Sequence, residues 1–291
     1  MIGTKASVPL LALLLLFPAP AAAEMEARKT AAVGQKGSWS VGVFAPLQIA
    51  FSDGAEVRLH PLTAAVAPHA SLRLRHGELG PFRLAGEYSL LLPTPAMRLV
   101  QGTFFPAWDL SGRKMPWQLV PGAAVVASAG EVQVTTVRIS LWASIPLEQS
   151  ETLPFASYAP LDLLLSPMLR GYRLRAGVSH DRPLGSRLRL RGGADLWLTG
   201  SGGEPARSPL FLSAGAGVDL RLARKLRLCA GQTWFNSDQG RTSVEVAEDG
   251  FSVRRPRRTN DLFPVIDLIW EGGPARKAAG YGEGSGRPAS D

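Results

Sequence analysis

The sequence predicts an all-β chain, an antiparallel up-and-down transmembrane β-barrel of about 10 strands, within a range of about 8 to 12. Three observations predict it. The first is strand length with strict alternation. In RLRLRGGADLWL, residues 187–198, Leu188, Leu190, Ala194, Leu196 and Leu198 share one parity, and Arg187, Arg189, Arg191 and Asp195 hold the other. A tilted strand needs ~9–11 residues to cross a hydrocarbon layer, whereas strands of soluble proteins average ~5–6. The second is an export signal at the amino terminus. The third is cysteine usage. Cys229 is the one cysteine in the chain, so no intrachain disulfide forms, and closing a sheet on itself is one other way to hold an exported chain together.

The elements follow in chain order. Lys5 supplies a positive start, VPLLALLLLF (8–17) an apolar run, and Ala21-Ala22-Ala23 a small-residue cleavage pattern. Residues 1–23 therefore read as a secretory signal peptide; its apolar run is too short for a bilayer span. Position 24 is Glu, not the cysteine of a lipoprotein. Residues 24–37 are small and polar and read as a flexible lead-in. From Trp39 to Phe51 a continuous period-2 run reads as one strand, ended by the turn signal Ser52-Asp53-Gly54. A second extended region covers Glu56 to Arg75, interrupted by Pro61 and Pro68.

Phe82 to Leu92 alternates cleanly. Residues 93–118, with four prolines and Phe104, Phe105, Trp108 and Trp117, read as a long loop carrying a short helix near Ala96 to Gln101. Alternation resumes over 119–129 and 131–145. Residues 146–160 read as a loop, 161–168 as a short apolar stretch, 172–179 as a strand and 181–186 as a turn. Residues 187–198, 210–221, 226–231 and 262–270 complete the strands. A polar excursion over 236–261 contains a hairpin-like stretch, SVEVAEDGFSV. The barrel domain is thus 38–270, and 271–291 is a Gly-rich tail expected to be disordered.

Alternation assigns two faces. Arg173, Arg175, Arg187, Arg189, Arg191, Asp195, Asp219, Arg221 and Arg227 are expected to face a lumen, with Arg73, Arg75, Arg83, Glu87, Arg138 and Asp267 on the same grounds. Leu188, Leu190, Leu196, Leu198, Leu210, Leu212, Val218, Leu268 and Trp270 are expected to face lipid. Arginines outnumber the carboxylates among the lumen candidates, so the lumen is expected to be basic. Those charges either pair to fill a narrow barrel, favour anions, or meet lipid phosphates at the rim. Trp39, Trp197, Trp234 and Trp270 lie near strand ends, where interfacial aromatics belong.

The net charge is +8. The arginines lie inside alternating strands rather than in one patch, and the chain is exported, so no nucleic-acid partner is expected. No cofactor and no metal site is expected: His60, His69, His76 and His180 lack ligand spacing. The chain contains no Gly-x-Ser-x-Gly elbow, and GGADLWLTGSGG lacks the Lys-Ser/Thr of a phosphate loop.

The signal, the alternating strands and the closing segment LFPVIDLIW, with aromatic Trp270 at its end, resemble the integral outer-membrane β-barrels of Gram-negative bacteria. That resemblance implies an outer-membrane location, contact with outer-membrane lipid, and recognition of a terminal aromatic by the barrel-assembly machinery. Residues 271–291 following Trp270 depart from the pattern. The implied role is structural, ligand-binding or narrow-pore, without catalysis. Two alternatives stand beside it. One is a soluble exported β-sandwich binding protein, periplasmic or secreted. The other is an outer-membrane barrel enzyme, a hydrolase or acyltransferase, in which His180, Asp181 and rim serines would act.

Overall fold

The computed structural model describes residues 25, 27–61, 64, 67–101, 115–148, 159–200, 208–246 and 252–274. Residues 1–23, expected as a signal peptide, most of the loop with Phe104, Phe105 and Trp108, and the tail beyond residue 274 lie outside them. Twelve antiparallel strands form a closed ring: β1 (Trp39–Gly42), β2 (Leu47–Ser52), β3 (Ala55–Leu59), β4 (His69–Leu79), β5 (Phe82–Leu91), β6 (Gln118–Ala129), β7 (Val134–Ala143), β8 (Tyr172–Pro183), β9 (Leu188–Thr199), β10 (Leu210–Ala223), β11 (Leu226–Val246) and β12 (Ser252–Gly272). Each strand pairs with the next, and β1 pairs with β12. Ile145–Pro146 adds a two-residue bridge to β6. Two helices, α1 (Thr94–Val100) and α2 (Ala159–Arg170), lie in the β5–β6 and β7–β8 connections. A closed ring has no second sheet, so the sandwich alternative is excluded.

The two extra strands come from places where proline breaks a run. The expected strand 39–51 splits at Phe44-Ala45-Pro46 into β1 and β2, joined by a tight turn in which Gly42 N donates to Ala45 O (3.2 Å). The Asp267 carboxylate holds that turn, accepting from Phe44 N (3.1 Å) and Ala45 N (2.9 Å). A β-carbon on Gly42 would come within 2.6 Å of that carboxylate, which is why glycine stands there. The region 56–75 splits in the same way into β3 and β4 around the loop with Pro61 and Pro68. The expected hairpin over 236–261 exists as an extension of β11 and β12 beyond the rest of the wall, with a register shift between Asp238 and Arg241.

Register sets the size of the barrel. Starting at Trp39, the ladder partners run through Ile49, Val57, Leu72, Tyr88, Ala123, Leu141, Leu174, Leu198 and Leu210. The path returns to β12 beside Arg258, whereas Trp39 itself pairs with Gly272, a stagger of fourteen residues. For twelve strands that corresponds to a tilt of about 40° and a backbone radius of about 12 Å. An eight-stranded barrel is just filled by side chains. A twelve-stranded one leaves room, and this chain puts backbone into it.

Short turns (53–54, 80–81, 130–133, 184–187 and 224–225) cluster at one end of the ring together with the start of β1 and the end of β12, and the 43–46 turn lies at the other end. The connections carrying α1, α2 and the β11–β12 hairpin lie at the other end. The wall is not level there. β1 and β2 stop at the height of Asp267, while β12 continues from Ile266 to Ser252 with β11 as its one strand neighbour among the described residues. Leu268 O points toward β1, accepting from Val43 N (3.2 Å). Residues of the same parity point the same way, so the missing N–H of Pro264 faces the side that lacks a strand. Proline there removes no ladder bond.

The parity of the strands agrees with their exposure. On β7, Val137, Ile139 and Leu141 are 43–55% exposed on the outside, while Thr136 and Ser140 are buried inside. Ile139 sits mid-strand between Val125 and Ala176. Ile139→Arg should destabilise the barrel by about 2–4 kcal/mol, because arginine at the midplane of a bilayer costs that much on a barrel's outer face. Leu190, near the short-turn end of β9, should cost only about 0–1 kcal/mol when changed to arginine. Urea unfolding from phospholipid vesicles would measure both; equal costs would contradict the depth assignment.

Candidate functional site in the lumen

The lumen has a floor. Residues 25–37, expected as a flexible lead-in, cross the short-turn end of the barrel on the inside. Arg189 Nη1 donates to Met25 O (2.6 Å), Arg28 Nη1 to Cys229 Sγ (2.7 Å), Ala31 N to Ser128 Oγ (2.7 Å) and Gly34 N to Glu56 Oε2 (3.1 Å). The anchors belong to β9, β11, β6 and β3, on all sides of the ring. Met25, Thr30 and Ala31 are buried, and Ala31 packs on Ala85 and Val126.

It also has a roof. The sequence reads 161–168 as a short apolar stretch; the structure makes 159–170 a helix that touches β6, β7, β8, β9, β11 and β12. Only an element lying across the mouth meets all of these. Its ends are tied by a fully buried ion pair, Arg170 Nη2 to Asp162 Oδ2 (2.6 Å). Arg170 also donates to Thr199 Oγ1 (3.3 Å) and lies over the Phe211 ring. Pro167 inside the helix lacks the N–H that would bond Leu163 O. That carbonyl instead accepts from Ser166 Oγ (2.8 Å) and from the Arg173 guanidinium (2.6 Å). Met168 and Leu169 close an apolar cluster with Met97 of α1, Met115 and Val120.

Between floor and roof, charged side chains line the wall. One relay runs around the lower rim: Arg189 pairs with Asp181, Asp181 with Arg191 (3.4 Å), Arg191 with Asp219 (2.7 Å), Asp219 with Arg227 (3.5 Å) and Arg227 with Glu271 (2.9 Å). A second relay joins Arg138, Glu87, Arg58, Glu56 and Arg73. Arg175 pairs with Asp195 (2.7 Å) and stacks over Trp197, whose Nε1 donates to Ser213 Oγ (2.9 Å). Arg173 lies between the Trp142 and Trp197 rings. A β-carbon on Gly177 would collide with the Asp195 carboxylate, so glycine leaves room for that pair.

Of the nine expected lumen charges, seven face inward: Arg173, Arg175, Arg189, Arg191, Asp195, Asp219 and Arg227. Arg221 keeps the inward parity opposite Arg227 but lies half-buried at the short-turn rim, and Arg187 is exposed in the turn before β9; Arg221 N donates to Arg187 O (2.8 Å). Arg75 and Arg83 are also rim residues, bonded to Glu78 and to Gly130 O. Among the expected outer residues, Leu196, Leu198, Leu212, Val218 and Trp270 are 37–46% exposed, and Leu188, Leu190, Leu210 and Leu268 are half-buried on the same parity. Trp197 is not interfacial but points inward. β8 runs on to Pro183, so Asp181 lies in a strand rather than a turn and faces the lumen beside Arg189. His180, its neighbour, points the other way and meets Thr135 Oγ1 (3.0 Å). The two therefore do not form one site.

Arg28, Lys29, Glu56, Arg58 and Asp181 were not among the lumen candidates. Lys29 stands out. Its backbone is left-handed (φ 59°), and its side chain is open to the lumen although the wall surrounds it. Enclosure, followed by the charges of Arg191, Arg28, Arg175 and Arg138, pushes its ammonium down to about 8. Among the described residues, Arg28, Lys29 and Arg173 have no carboxylate partner within ion-pair distance, and Arg173 Nε is buried without a hydrogen bond.

No family model matches this chain, and no curated protein matches it. Solved structures do. It is similar to in-vitro folded OmpT, an outer membrane protein of Vibrio cholerae, at 10% identity and a TM-score of 0.39, covering 80% of this chain and 64% of that one. Outer-membrane expressed OmpT of Vibrio cholerae matches with a TM-score of 0.39 and 10% identity over 78% of this chain and 64% of that one. The loop L8 deletion mutant of OmpT matches with a TM-score of 0.40 and 10% identity, over 78% of this chain and 62% of that one. The chain thus spans a little under two thirds of the OmpT chains it matches.

Proposed function

We propose that this protein is an integral outer-membrane barrel, closed at rest, whose basic lumen admits small anions and which carries out no catalysis. The observation that carries the reading is the segment 25–37, anchored to four separated strands across the lumen, with α2 across the opposite mouth. A ring of side chains of one charge favours the opposite ion, and here cations exceed carboxylates. The export signal in residues 1–23 and the apolar outer parity support the location. Five of the short turns, the start of β1 and the end of β12 share one side, which would be periplasmic. Lipid acyl chains and the barrel-assembly machinery are the partners this implies.

Two measurements test it. The folded chain should stay with the outer membrane after carbonate washing and shift its gel mobility on boiling; a freely soluble periplasmic chain would end the membrane reading. In planar bilayers residues 24–291 should give little steady conductance. Deletion of residues 24–34 should raise it severalfold, with a reversal potential on the anion side. Equal conductance from both forms would show that the floor closes nothing.

A further inference from the structure

We propose that the chamber between the N-terminal floor and α2 is a binding site for a tetrahedral oxyanion, a sulfate or phosphate group, with the Lys29 ammonium as its central ligand and Arg173 and Arg175 beside it. The inference rests on the closed-lumen reading and gives that lumen a ligand class.

Four features of the chamber converge on this. Among the described residues Lys29 has no ion-pair or hydrogen-bond partner, yet its backbone is held in a strained form: a left-handed conformation at a non-glycine residue costs about 1–2 kcal/mol. Anchors on both sides, Arg28 to Cys229 and Ala31 to Ser128, prevent the segment from relaxing. Among the described residues, the charges that act on Lys29 most strongly are cations: Arg191 on β9, Arg28 on its own segment, Arg175 on β8 and Arg138 on β7. Their carboxylates, Glu87, Asp195, Asp181 and Asp219, are already engaged in ion pairs. Finally, Arg173 presents a buried Nε without an acceptor, and its carbonyl and ring contacts fix its guanidinium beneath α2, where it shares the Trp197 ring with Arg175. A tetrahedral oxyanion offers several acceptors in several directions, which suits one ammonium and forked guanidiniums approaching from different sides.

Sulfate is the probe, because it stays doubly charged across the useful pH range and takes up no proton itself. Calorimetric titration of the full exported chain in detergent at pH 7 should show one saturable site. Lys29 is fully charged well below 8 and loses its proton as pH rises through about 8, so affinity should fall across that step. At pH 8 binding should draw protons from the buffer, seen as a heat that changes with buffer ionisation enthalpy. Lys29→Asn keeps a residue that tolerates left-handed backbone. It should weaken binding at least tenfold and abolish the proton uptake, while still shifting on heating as a folded barrel does. Arg173→Gln, away from the floor anchors, should weaken binding as well. Arg224→Gln, in a rim turn, should change neither. Non-saturable heat that follows ionic strength would overturn the proposal, and so would Lys29→Asn binding as tightly as the parent chain. The titration needs no conduction, so a silent bilayer experiment leaves it standing and a flat titration leaves the conductance result standing.

Discussion

Asp162→Ala should destabilise the barrel by about 3–5 kcal/mol in urea unfolding from detergent micelles. Asp162 and Arg170 are both fully buried and 2.6 Å apart, and removing one member leaves a charge in a place that water does not reach. Thr199 and the Phe211 ring, which also contact Arg170, carry no charge. The loss should come from the pair and not from the loss of apolar volume. The double substitution Asp162→Leu, Arg170→Met should therefore recover most of the stability, because an apolar pair of similar size often matches a buried ion pair. A double variant as unstable as the single one would assign the cost to the shape of the helix instead.

Asp181→Ala should cost a similar amount, about 3–5 kcal/mol, with a different signature. Asp181 neutralises Arg189 and also meets Arg191, so both lose their shared acceptor. Arg189 holds the floor through Met25 O and the β6–β7 turn through Val132 O (2.9 Å). Freed from Asp181, its guanidinium no longer has a fixed direction, and the segment around Met25 should come loose. Limited proteolysis of the folded variant should cut within residues 25–34 under conditions in which the parent chain resists. Destabilisation without that cleavage would mean that the floor is held by its other anchors alone.

Much of the wall was legible because the side-chain period of a strand is two. The inward set from Arg173 to Arg227 and the outer leucines follow from parity alone. Proline is where legibility stopped. Alternation runs unbroken through Pro46, so nothing in the pattern marks a reversal there; what makes it a turn is the distant Asp267 carboxylate. Helix α2 left a trace: Asp162, Ser166 and Arg170 recur every four residues, the spacing of one helix face. Pro167 and the leucine run masked it. The floor left none. Residues 25–37 have no apolar period, and their position depends on single hydrogen bonds from four strands far away in sequence. Asp181 was misplaced for a local reason, since Asp-Arg-Pro reads as a turn while its Arg189 partner lies across a hairpin.

The unequal wall leaves the joint between β1 and β12 short, and it is the one seam that no connecting loop ties. Every other neighbouring pair from β4 through β12 zips over eight or more residues, whereas β1 meets β12 over Trp39–Gly42 alone, with Asp267 as a clasp just above. Local opening follows the weakest set of contacts. The tube therefore parts along this line first, and the β1–β2 hairpin can peel away carrying the end of the floor segment with it, since Gly37 and Ser38 bond Ala50 in the same hairpin. The clasp that completes the circle is thus mechanically joined to the strip of chain that stops it up.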